Sequence, residues 1–156
     1  MTETGDNEPE RTLPVGGSSA EKPEEEDFFN YRATLRIFGN IKNLDEITKH
    51  LGVAPSDIHR KGEPNWVRTF PPYEHDMWSY TAPVGEGEPL HVHIDTLWNT
   101  FKEHRHYLLQ LKHDLKVDVF LGYRSNCDHA GVEVPHESLE MFRELQVPFG
   151  ISIIIT

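Results

Sequence analysis

The sequence predicts an α+β fold, an antiparallel or mixed sheet of about five to six strands with one long helix and two shorter helices packed on it. Three observations carry this reading. Residues 31–38 alternate apolar and polar, with Tyr31, Ala33, Leu35 and Ile37 on one face and Arg32, Thr34 and Arg36 on the other, the period of a half-buried strand. Residues 90–114 carry Ile94, Leu97, Trp98, Phe101, Leu108 and Leu111 at helical spacing. Helical stretches fall between strand pairs rather than after every strand, which separates this pattern from a parallel α/β fold.

Composition divides the chain before its first strand. Residues 1–27 hold nine acidic and two basic side chains, net −7, with Gly16-Gly17-Ser18-Ser19 at their centre and only Leu13 and Val15 as large aliphatics. Such a segment buries too little apolar surface to offset its ordering entropy, so a disordered acidic tail is expected, followed by one domain at 28–156.

Within that domain, Gly39-Asn40 turns the chain out of the first strand. Asn43, with Glu46 three residues on, resembles a capping box, and Leu44, Ile47 and Leu51 line one face of the helix it starts. Gly52 and Pro55 end that helix. An ordered loop bearing Arg60 and Lys61 leads to Trp66–Phe70 and Met77–Ala82. These are two aromatic and β-branched runs separated by Pro71-Pro72, read as an antiparallel hairpin.

After the long helix, Val117, Val119, Leu121 and Tyr123 alternate as a clear strand, and Ser125–His129 is a polar loop. Gly131–Val134 reads as a short strand, and Leu139, Phe142 and Leu145 mark a short helix. Phe149–Ile155, apolar on both faces, reads as a terminal strand in the sheet interior.

The order of these features resembles the bacterial family catalogued as domain of unknown function 4279. It rests on the strand ending at Phe38-Gly39, the Leu51-Gly52-Val53-Ala54-Pro55 helix end, the Arg60-Lys61-Gly62-Glu63 loop, the Trp78-Ser79 strand, the Gly131-Val132 pair and the β-rich C-terminus. The resemblance covers residues 30–156 and implies a small soluble bacterial protein. It implies no activity, cofactor or catalytic residue.

Charge narrows the partners. Fifteen basic against 26 acidic residues give a formal net charge of −11, which argues against nucleic acid or an anionic membrane as partner and fits a basic protein better. Cys127 is the single cysteine, so no internal disulfide forms. With no apolar run of membrane length and no signal-peptide pattern at Met1, a cytoplasmic location is expected.

Chemistry is sparser. His91 and His93 on a helix point about 200° apart and cannot share a metal, and His104 with His106 repeats that spacing. Cys127-Asp128-His129 has the residue types of a thiol catalyst, but adjacency along the chain is not the geometry in which an imidazole deprotonates a thiol. No metal or cofactor is expected, and binding is favoured over catalysis.

Residues 31–68 are the exception to the acidity, with seven basic and four acidic side chains. If Arg36, Arg60, Lys61 and Arg68 converge, they form an anion site beside which Trp66 or Trp78 stacks a planar ligand. Two functions follow. One is a non-enzymatic module whose acidic surface engages a basic protein, as an immunity protein does with a cationic toxin. The alternative is a binder of a small anion, or an enzyme acting on one, at the Arg60-Lys61 loop and the aromatic hairpin.

Overall fold

The computed structural model describes residues 25–129 and 131–156, and the expectation for the acidic tail lies outside these except for its last three residues. Five strands form one mixed sheet in the order β2-β3-β1-β4-β5. They are β1 (Phe29–Gly39), β2 (Asp57–His59), β3 (Asp76–Thr81), β4 (Lys116–Ser125) and β5 (Ile151–Ile155). β1 lies in the middle, antiparallel to β3 and to β4, while β5 runs parallel to β4.

The alternation of β1 sets the two faces of the sheet. Ala33, Leu35 and Ile37 are fully buried and join Trp78 of β3 with Val117, Val119 and Leu121 of β4 in the core. Helices close that face: α1 (Leu44–Leu51), α2 (Leu90–Phe101), α3 (Arg105–Leu111) and α4 (Glu140–Leu145). They bring in Ile47, Leu51, Ile94, Leu97, Phe101, Leu108, Met141 and Leu145. Phe101 sets its ring edge-on to Tyr80 at 5.2 Å and to Trp78 at 6.5 Å, the arrangement that brings the positive edge of one ring to the negative face of another.

Helix α1 is capped as its sequence requires. Asn43 Oδ1 accepts from the Asp45 and Glu46 amides, and Gly52 takes the left-handed conformation at φ +68° with its amide donating to Thr48 O. A Cβ at Gly52 would meet nothing within 4 Å, so glycine is required there by backbone conformation and not by crowding.

The long helix is present from Leu90 to Leu111, with a 3-10 turn at Lys102–His104 between α2 and α3, and three other expectations are corrected. Five consecutive polar residues, Lys102 to His106, give that turn no side chain to seat in the core. Trp66–Phe70 is not a strand. Asn65 Oδ1 accepts from the Val67 amide, and the Phe70 amide turns back to Val67 O, so local turns override β-propensity and β3 pairs instead with the short β2. Gly131–Val134 is irregular, with Val132 and Val134 packed against the core.

The third correction concerns β5, which is an edge strand. Its apolarity on both faces does not report burial, because Ile153, Ile154 and Ile155 are 60%, 54% and 47% exposed.

Candidate functional site

The side of the sheet away from the helices carries the outward residues of β1, β3 and β4. Register sets Arg36 between Ser79 and Asp118, and Phe38 between Met77 and Lys116. Arg36 makes a forked contact, Nε donating to Asp118 Oδ1 and Nη2 to Oδ2, both at 2.7 Å. Its guanidinium also sits 5.2 Å from the Phe120 ring centre and 5.8 Å from that of Phe38. A planar cation held by a carboxylate fork and flanked by rings is fixed in orientation, which free rotation would deny a long side chain.

Because both partners are about one-third exposed, solvent screens this pair. A double-mutant cycle on Arg36→Ala and Asp118→Ala, read by urea unfolding, is expected to give a coupling of about 1 kcal/mol. A coupling near zero would mean that the fork contributes orientation without stability.

Beyond Phe38, the loop between β2 and β3 forms the wall of a cleft of about 400 Å³ lined by Arg36, Phe38, His59, Phe70, Tyr73 and Met77 among others. Tyr73 stacks on His59 with ring centres 3.6 Å apart and planes 9° apart. His59 Nδ1 is buried without a hydrogen-bond partner among the described residues. Its nearest carboxylate oxygen, Asp57 Oδ2, stands at 3.9 Å, beyond hydrogen-bond reach.

The loop is held at its base. The Gly62 amide donates to Tyr73 O at 2.8 Å and the Tyr73 amide to Glu63 O at 3.1 Å, with Gly62 at φ +85° where a side chain would be strained. Glu63 Oε2 accepts from the Arg60 amide. Asp76, at the start of β3, accepts from the Ile41 amide on Oδ2 and the Lys61 amide on Oδ1, each at 2.9 Å. The Lys61 amide bond is the main cause that holds the Asp76 carboxyl below its ordinary value. Ile41 and the Arg60 charge add to it, and burial opposes them.

This geometry disperses the six residues singled out from sequence. Arg36 is engaged by Asp118. Arg60 Nη1 donates to Ile41 O at 2.7 Å and lies 3.7 Å from Asp76 Oδ2. Lys61 and Arg68 are exposed, and Trp66 is 85% exposed on the loop. Trp78 is fully buried on the helix face, its Nε1 donating to Thr48 Oγ1 at 2.9 Å, so it cannot stack a ligand beside Arg36. Of the six, Arg36 lines the cleft, and the residues gathered there with it, Phe38, His59, Phe70 and Tyr73, were not among them.

His91 and His93 lie in the first turn of α2. His93 is buried, with Nε2 3.2 Å from Glu88 O, and burial above all pushes its pKa down. Among the described residues no group of three or more His, Cys, Asp or Glu side chains could hold a metal ion, and no helix is long and apolar enough to cross a membrane.

A family model described as Domain of unknown function (DUF4279) matches residues 29–156. The chain belongs to that family. No curated protein and no solved structure matches it. The matched span starts at the first residue of β1 and takes in every element of this DUF4279 domain, so the sheet, its covering helices and the loop over the cleft all lie within the family unit.

Proposed function

We propose that this DUF4279 domain is a non-enzymatic binding module that engages a basic protein, with the loop between β2 and β3 as its contact surface. The observation that carries the reading is the exposure of two large rings, Trp66 at 85% and Phe70 at 59%, on a loop whose base is pinned by Asp76, Gly62 and Tyr73. Exposed aromatic side chains on a pre-ordered segment lose little entropy when covered, and rings of this kind anchor protein interfaces. The cleft beside Phe70, with Phe38 and Met77 at its floor, offers the apolar recess into which a partner side chain packs.

The charge of −11 supports a cationic partner by accelerating encounter with the molecule as a whole; the loop itself carries Arg60, Lys61 and Arg68 against Glu63 and Glu74, so at the contact the rings and not local charge set the lifetime of the complex. The alternative, a small-anion site at the Arg60-Lys61 loop, finds less support. Arg36 and Arg60 already face Asp118 and Asp76, and Trp78 is in the core.

The test is affinity capture on the full chain and on a Trp66→Ala/Phe70→Ala double variant, read by mass spectrometry with a salt gradient. Basic proteins retained by the full chain, released by salt and lost on the double variant are the expected result. An identical set on both columns would overturn the reading.

A further inference from the structure

The two edges of the sheet are built differently. β2 has three residues and opens on Asp57, a short charged edge of the kind that discourages pairing with another chain. β5 has five residues, Ile-Ser-Ile-Ile-Ile, with neither charge nor proline, and its register with β4 runs from Leu121↔Ile151 to Ser125↔Ile155 without a bulge. Ile153, Ile154 and Ile155 are about half exposed or more. Among the described residues β5 has no strand on its outer side, and unpaired backbone groups along an apolar strand are a template for one more strand.

We propose that β5 pairs antiparallel with β5 of a second copy of this chain about a two-fold axis at Ile153, joining two five-stranded sheets into one. The strand is self-complementary in that register. Ile153 meets its own copy, Ile151 meets the copy's Ile155, and Ser152 meets the copy's Ile154, so each residue faces one from the same side of the sheet. On the helix side, Ile151 lines an apolar groove of about 570 Å³ that also holds Val134, Phe142 and Phe149. The copy's Ile155 arrives at the rim of that groove.

Charge selects a copy over the basic partner proposed for the loop. Ten consecutive residues, Val147–Thr156, carry no charged side chain in a chain of net −11, so a cationic protein finds no Asp or Glu here to pair with. A second copy, which acidic surface repels elsewhere, meets no like charge along this strand. The contact is small beside the roughly 800 Å² per partner of a standard interface, so association is concentration-dependent and not obligate.

Sedimentation velocity on the full chain, from low micromolar to submillimolar concentration, is expected to show the mass rising from one chain, 18.0 kDa, toward two. Ile153→Lys and Ile153→Asp, each placing like charges on the axis, are expected to weaken association at least about tenfold, and an equimolar mixture of the two variants to recover it. A single-chain mass throughout, an association untouched by both variants, or a mixture no tighter than either alone would overturn the proposal. Should the variants not fold, amide hydrogen exchange on the unmodified chain decides. Exchange in β5 that slows as concentration rises supports the pairing, and exchange independent of concentration refutes it.

Discussion

Trp78→Ala is expected to lower the free energy of unfolding by about 3–5 kcal/mol, the usual loss when a buried tryptophan is cut to a methyl group and the cavity does not close. Trp78 is fully buried, sits edge-on to Phe101 and donates to Thr48, so the substitution also removes the donor to a hydroxyl of α1, which keeps only its own bond to Leu44 O. For a domain of this size the melting temperature should fall by roughly 10–20 °C. Trp66→Ala, at an exposed position outside the core, should change stability by less than about 0.5 kcal/mol. Denaturant unfolding of both variants checks the pair. A large loss from Trp66→Ala would mean that the exposed ring is structural, which would remove it from the proposed contact surface.

The second large effect falls on Asp76. Asp76→Ala removes the acceptor for two backbone amides, Ile41 and Lys61, at a site that is 8% exposed, and should cost about 2–4 kcal/mol near neutral pH. Its pH dependence has a defined sign. The folded carboxyl has a lower pKa than the ordinary value of 3.8, so the unfolded chain takes up its proton first as pH falls. The stabilisation is therefore present above that ordinary value and is lost as pH falls from it through the folded pKa. Urea unfolding of both chains should show the gap between them narrowing over that range. A gap constant with pH would mean that Asp76 stabilises by shape and not by charge.

Strand periodicity made the core readable in advance. Ala33, Leu35 and Ile37 are the inward residues of β1, Val117, Val119 and Leu121 those of β4, and Asn43 and Gly52 bound α1 because cap and left-handed turn have local causes. What local pattern could not supply was register. Asp118 stands out on the polar face of its strand from sequence alone, yet only the pairing of β1 with β4 sets it against Arg36, 82 positions away. The same limit hid the separation of Trp78 from Arg36, because parity along β3 turns Trp78 away from the face that carries Arg36. Trp66 and Phe70 misled for a different reason. β-propensity describes fit to a half-buried pleated surface, and this loop offers them none. For β5, apolarity on both faces could not distinguish a strand covered by its own chain from one left open.

The middle position of β1 also bears on how the chain is made. Its antiparallel partner β4 starts at Lys116, opposite Phe38, so the inner strand of the sheet leaves the ribosome well before the strand that completes it. At about 5–20 residues per second, the interval between these two positions lasts roughly 4–16 s. During it Leu35 and Ile37 have only β3 and the first helices to shelter them, and closing the sheet waits on a contact between distant parts of the chain. A nascent chain stalled before Lys116 should therefore bind chaperones that the finished sheet does not.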